Sequence, residues 1–390
     1  MKNYLKFYLK RNIPYFVIFT VVILVSFLIV VINSKAYIHS YREGIYSYNY
    51  SLNFRIIFIP YVALTIITPF VANQYRYSKQ HVDVVNQSGM GEKKVRYINN
   101  MSLLIMTTII YTILFFILLL VIYLKQTGEL SLTNEHYIYF VYHLGYYLLA
   151  YLLVLVIGVF NYFISYYLIT RTNNILNAVI LLIMGQLIMV GLLYIPLYQA
   201  RYIATNFNAR GAIGNWLFAT CSMSPFSILM SVGYLFTPLI EANIASKPIV
   251  FKSGLPMVMI ILGASLFFLF AVYSIYKFIK EDELSAEYLS SFVPRKAESI
   301  IFHLFFFLFA YLLGISFNTT GAIAISYYVT RTILLFIMFV AIYYLIYSIY
   351  RRNFHINKSD LKILIPISSV YIISFIIDLV VLITSHTIFH

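Results

Sequence analysis

The chain holds one cysteine, Cys221. With no second thiol it has no internal disulfide and no cysteine-based metal site, and the redox compartment stays open. Charge is scarce too. Only 10% of the 390 residues are Asp, Glu, Lys or Arg, against 62% hydrophobic, a balance that excludes an ordinary soluble globular protein. There is no phosphate-cradling glycine loop followed by Lys and Ser or Thr, so the chain is not expected to hydrolyse ATP itself. No His-Glu-x-x-His or paired-histidine spacing occurs. The eight histidines (39, 81, 136, 143, 303, 355, 386 and 390) are scattered, and each reads as an interfacial side chain before it reads as a metal ligand or a base. No catalytic residue, bound metal or bound cofactor is expected of this chain.

Apolar runs fill the chain instead. Nine of them, residues 13–32, 55–73, 101–124, 137–169, 175–196, 257–279, 300–317, 327–350 and 363–385, have the length of membrane-crossing helices, which need roughly 20 residues. The expected fold class is therefore all-α, a polytopic integral membrane protein of about nine transmembrane helices. The first run follows lysines, as a signal sequence would, but it is long enough to span, and Asn33-Ser34-Lys35 offers no small-residue cleavage pattern. It reads as a retained helix. Pro60 and Pro69 can kink the second run. The fourth, residues 137–169, carries no Lys, Arg, Asp or Glu. At about 1.5 Å per residue it is near 50 Å long, so it must tilt, break near Gly158 or Asn161, or project beyond a core of roughly 30 Å.

The polar residues inside these runs are few. Asn161, Asn177 and Gln186 suit hydrogen bonds between helices. Arg331, near the start of the eighth run, can snorkel to the interface. Asp378 is the one acid well inside an apolar run; an intramembrane carboxylate is expensive and implies either a buried hydrogen-bonding partner or a transport role, the former weighing more.

Sidedness follows from the basic residues. The net charge is +14, and the basic residues cluster at the ends of apolar runs, which accounts for them as topology with no nucleic-acid partner. Residues 217–236 are uncharged and about long enough to cross. If they do not cross, 18 of the 27 basic residues fall on the cytoplasmic side; if they do, the split is 13 to 14. The first arrangement is expected, with residues 217–236 a re-entrant or surface-lying outer element bent at Pro225 and Gly233. It puts the N-terminus in the cytoplasm and the C-terminus outside a cell membrane.

Two stretches outside the spans have a pattern of their own. Residues 1–12 place Leu5, Tyr8 and Leu9 at helical spacing against Lys2, Lys6, Lys10 and Arg11, an amphipathic segment suited to the interface before the first span. Residues 74–100 form the longest polar interruption in the first half and carry Arg76, Lys79, Lys93, Lys94 and Arg96 against Asp83 and Glu92. Val82, Val84 and Val85 sit among polar residues there, and Ser88-Gly89-Met90-Gly91 breaks the pattern. The stretch reads as a short amphipathic helix stopped by glycine, with a basic run leading into the next span.

These features resemble the permease subunits of type-2 ABC exporters. The amphipathic segment before span one is like the family's elbow helix. The loop between spans two and three, with Asp83-Val84-Val85, a small-residue turn and then basic residues, is like its coupling helix. Ser224-Pro225 lies in an apolar outer element before span six, where these permeases have re-entrant elements, and six spans complete the core. The resemblance implies a six-span core over residues 13–279, a linker at 280–299 and three additional spans at 300–385. It implies as partners a cytoplasmic ATP-binding subunit and a second permease copy or paralogue in the lipid bilayer, with ATP bound by the partner. Val82, Asp83, Val84, Val85, Asn86 and Met90 would contact the ATPase, and Ser224, Pro225 and Phe226 would form an outer gate. The cargo exported would be unknown, with uncharged aromatic spans suiting an amphipathic or lipid-like molecule, a peptide or an antibiotic. This chain departs from the family in lacking the proline and arginine that many relatives place after the coupling helix. One alternative is an integral-membrane enzyme acting on lipid or polysaccharide, which requires a convergent His, Asp or Glu cluster. Another is a secondary transporter or sensor dependent on Asp378.

With Cys221 replaced, single cysteines at Ser88 and Ser290 are expected to resist an impermeant thiol reagent in intact cells, and one at Ser246 to label. Labelling of Ser290 and not Ser246 would mean that residues 217–236 cross.

Overall fold

Each of the nine apolar runs corresponds to a helix in the computed structural model, which describes residues 2–33, 36–42, 45–50, 54–77, 91–130, 138–171, 175–206, 224–226, 228, 255–280, 296–314, 325–351, 355 and 358–389. The helices are α1 (Lys2–Arg11), α2 (Ile13–Asn33), α3 (Phe54–Ala72), α4 (Glu92–Leu130), α5 (Ile138–Ile169), α6 (Ile175–Asn206), α7 (Leu255–Lys280), α8 (Lys296–Gly314), α9 (Ile325–Arg351) and α10 (Lys358–Phe389). Six carry stretches long and apolar enough to cross a membrane: Ile13–Asn33, Lys93–Lys125, Tyr147–Ile169, Ile175–Leu192, Ile261–Lys280 and Thr330–Ser348. Three of the expected crossings coincide with shorter apolar stretches, Ile56–Ala72, Ile300–Leu313 and Leu364–Ile377. The chain is a multi-pass helical membrane protein.

Several elements depart from the expectation. The chain is not wholly helical, because β1 (Ala36–Arg42) and β2 (Ile45–Tyr50) form an antiparallel hairpin between α2 and α3. Ile38 pairs with Tyr48 and Ser40 with Ser47, so His39 is an extra residue in β1. That bulge keeps the register: it sets Tyr41, Ile38 and Ala36 opposite Tyr46, Tyr48 and Tyr50 at positions of one face. The run 92–100, expected to be loop, forms the opening turns of α4, which follows Gly91 and is 39 residues long. The fourth run does not break; α5 is one helix of 32 residues that projects beyond its membrane-length stretch. Likewise α6 continues through Pro196 to Asn206.

The chain divides into two compact units, Met1–Thr170 with Pro225–Ala286, and Arg171–Ser224 with Glu287–His390. Chain order would group α6 with α2 to α5 and α7, but it packs with α8 and α10. The reason lies in Met184 of α6, which joins Phe302, Phe306, Phe339, Tyr343, Ile367 and Tyr371 in the buried core of the second unit. There Phe306 meets Tyr343 edge-on at 4.9 Å, and the Tyr371 hydroxyl donates to the Thr332 carbonyl at 2.9 Å.

In the first unit α3 packs against α5, α2 against α3 and α4, and α5 against α7. The α3–α5 seam combines a small residue with a polar one, as close helix packing in lipid requires. Asn161 Nδ2 donates to the Val62 carbonyl at 3.2 Å and to Thr65 Oγ1 at 3.1 Å. One turn earlier, Gly158 faces the Tyr61 ring so closely that an added Cβ would overlap Cε1 and stand 3.1 Å from Cζ. The ring also stacks on Tyr111 at 4.1 Å, which limits how far it can shift. The later turns of α5 and the end of α7 both meet the start of α4, Tyr162 by its bond to Asn100 and Phe278 by its bond from Arg96, so α5 and α7 run parallel.

Gly158→Ala is expected to destabilise the protein by about 1–3 kcal/mol through overpacking against Tyr61. Gly145→Ala serves as the control, because a Cβ there meets nothing within 4 Å. Thermal unfolding in detergent should separate the two; equal midpoints would refute the tight seam.

Candidate functional site

Five elements of the first unit meet at one end, around the point where the chain leaves α3 and re-enters at α4. The exit is a tight turn. Asn73 N donates to the Pro69 carbonyl at 3.0 Å, Arg76 N donates to the Asn73 carbonyl at 3.0 Å, and a 3₁₀ turn, Gln74–Tyr77, follows. The re-entry is capped by Gly91, whose carbonyl accepts from Lys94 N at 2.9 Å and Val95 N at 3.3 Å.

A closed set of hydrogen bonds joins exit to entry. Asn73 Nδ2 donates to the Pro69 carbonyl at 2.7 Å and to Asn100 Oδ1 at 3.0 Å, and Asn100 Nδ2 donates to Asn73 Oδ1 at 3.3 Å and to the Arg96 carbonyl at 2.9 Å. The Tyr162 hydroxyl of α5 donates into the same pair, 2.8 Å from Asn100 Oδ1 and 3.1 Å from the Asn100 carbonyl. Asn73, Asn100 and Tyr162 are completely buried. Both N–H groups of each amide are used, and Asn100 Oδ1 accepts from two donors, so the cluster satisfies itself without water.

Further contacts spread outward from this pair. The Arg96 guanidinium donates to the Phe278 carbonyl of α7 at 3.3 Å and lies 5.7 Å over the Phe278 ring, while Tyr97 stacks on that ring at 6.1 Å. The Tyr77 hydroxyl donates to the Ile169 carbonyl at 3.1 Å, answering a carbonyl that the end of α5 leaves open. The Tyr4 hydroxyl of α1 donates to Asn99 Oδ1 at 3.1 Å. Burial raises the Tyr4 phenol above its ordinary pKa, against the opposing pull of the Asn99 bond and of Arg11, so the hydroxyl remains a donor at neutral pH. Tyr8 is buried beside Ala72 and Leu103.

The residues expected at the coupling contact, Val82, Asp83, Val84, Val85, Asn86 and Met90, lie in 78–90, outside the described residues. Of the outer element, Ser224 and Pro225 are buried and Phe226 half-buried, and most of residues 217–236 lie outside the described residues. Asp378 falls in α10 with its side chain outside them. Sequence reasoning singled out none of Tyr4, Asn73, Asn99, Asn100 and Tyr162. The available signal was two short amides flanking one loop, Asn73 at the end of an apolar run and Asn99-Asn100 at the start of the next. Among the described residues no three His, Cys, Asp or Glu side chains gather into a metal-sized cluster. Comparison with protein-family models, with curated proteins and with solved structures gives no match to this chain.

Removing one member of the closed set should leave the others buried and unpaired. Tyr162→Phe is expected to cost about 1 kcal/mol and Asn100→Leu about 2–3 kcal/mol, since the latter strands Asn73 as well. Unfolding of the two single variants and the double variant measures the coupling; additive effects would mean that the cluster does not act as a unit.

Proposed function

We propose that this chain is the membrane subunit of an ABC exporter, driven by a separate cytoplasmic ATPase that grips residues 78–90. The observation that supports it most is the junction beneath that segment. Both ends of the segment are tied to each other through Asn73 and Asn100, and the tie extends to α1, α5 and α7. A contact on residues 78–90 would therefore move four spans and the preceding amphipathic helix together, which is what a transmission element needs.

The same geometry supports the proposed topology. Parallel α5 and α7 require an odd number of crossings between them. Helix α6 supplies one, so residues 207–254 would return to the side on which they started. That agrees with the charge distribution, with nine crossings, and with the N-terminus and residues 74–100 in the cytoplasm. A second copy or a paralogue would complete the pathway.

Purification of the tagged chain from its native membrane, in mild detergent, is expected to bring down a stoichiometric ATP-binding subunit. Val85→Asp, or Asp83→Ala with Val84→Ala, should leave the chain inserted while weakening that association about thirtyfold, the effect of losing one interface hot spot of about 2 kcal/mol. If no ATPase accompanies the chain, or if the substitutions change neither association nor stimulated hydrolysis, the exporter reading fails.

A further inference from the structure

Among the described residues nothing covers the outward face of α1. Tyr4 and Tyr8 turn toward α4 and the end of α3, while Asn3, Lys6, Phe7, Lys10 and Arg11 are exposed. At 100° per residue, Asn3, Lys6, Phe7 and Lys10 share one arc, with Arg11 at its edge. Phe7 is the most exposed aromatic side chain of this helix, at 63%. A phenylalanine placed between Lys10 and Arg11 on this arc is costly to present to water and suits the boundary between headgroups and acyl chains.

Charge decides what lies there. The first acid in the sequence is Glu43, so α1 carries basic groups and no carboxylate of its own. Among the described residues Lys6, Lys10 and Arg11 meet no carboxylate. The helix also sits next to a membrane-length segment, since Asn12 alone separates it from α2. Backbone bonds run through that joint, from Asn12 N to the Tyr8 carbonyl at 3.2 Å and from Phe16 N to the Asn12 carbonyl at 3.1 Å. This places the basic arc within one or two turns of the apolar span, at headgroup depth.

We infer that the Lys6, Phe7, Lys10 and Arg11 face of α1 is a binding surface for anionic phospholipid headgroups, with Phe7 seated in the acyl boundary beneath them. The inference needs only a bilayer around the apolar helices and stands apart from the exporter reading. Its consequence is local. Because Tyr4, at the border of this arc next to Arg11, bonds to Asn99, lipid held on the face bears directly on the start of α4.

The test uses the full chain in nanodiscs of one fixed mixture of phosphatidylglycerol and phosphatidylcholine. Trp216, the only tryptophan, is replaced by Phe, and Phe7→Trp supplies the reporter. Acyl-chain bromine is placed on one lipid or the other at the same total. Quenching per brominated lipid is expected to be about fivefold or more stronger for phosphatidylglycerol, the worth of one lysine at an anionic surface. Lys6→Gln with Lys10→Gln and Arg11→Gln should abolish the preference. Should that variant fail to fold, salt added to the reporter protein is expected to reduce the preference in its place. Equal quenching by both lipids, no quenching by either, a preference that survives the triple substitution, or one that salt leaves unchanged would each overturn the inference.

Discussion

A polar group in an apolar medium must find its partner within the protein, and at the end of the first unit this requirement is met by two asparagines that answer each other. The Asn73–Asn100 pair uses every amide hydrogen it owns and takes the Tyr162 hydroxyl as a further donor. Because all three side chains are fully buried, each member is held by the cost of stranding the rest. The turn after α3, the start of α4 and the end of α5 are consequently fixed to one another by chemistry that tolerates little displacement. Arg96 and Tyr4 then attach α7 and α1.

The two units solve the packing problem differently. Between apolar helices in lipid there is little hydrophobic gain, so association relies on close contact and on hydrogen bonds. The first unit uses both at its α3–α5 seam: Gly158 admits the Tyr61 ring, and Asn161 bonds across the same interface. The second unit has a core dominated by interlocked rings, with Phe302, Phe306, Phe339, Tyr343 and Tyr371 in mutual contact. Two of its bonds between helices, from Tyr371 to the Thr332 carbonyl and from Ser374 to the Tyr311 carbonyl, take their acceptors from the backbone.

Hydropathy made the helices legible in the sequence, because a long run without charge has few other uses. It made their ends illegible. Lys93, Lys94 and Arg96 look like loop, yet a helix can start in water and run into lipid without changing its hydrogen bonding, so α4 begins at Glu92. Pro196 looked like a stop, but a proline inside a membrane helix removes only one donor, and α6 continues. The hairpin was not expected: Tyr46, Tyr48 and Tyr50 alternate, but among 38 tyrosines such alternation is a weak strand signal. Asn161 was legible as a bond between helices because it stands alone in an apolar run. The junction was not: Asn73 and Asn100 are 27 positions apart, and only the fold shows that they are partners.

Charge and packing constrain the placement of helix ends independently. Charge bias sorts ends between the two sides of a membrane and says nothing of which ends touch. Packing does the reverse, bringing the start of α4 and the end of α7 together through Arg96 and Phe278 whatever the orientation. Both put Lys93, Lys94, Lys277 and Lys280 at one end, alongside the Lys6 and Lys10 of α1. Most of these cations are exposed, as topology alone would have them. Arg96 is not: it is buried against Phe278, where a mere orientation signal would have no reason to accept the cost of desolvation. The Asn73–Asn100 bonds hold the end of α3 to the start of α4, and the Arg96 contact in turn ties α4 to the end of α7, so the buried cation belongs to the same polar junction as the amide pair.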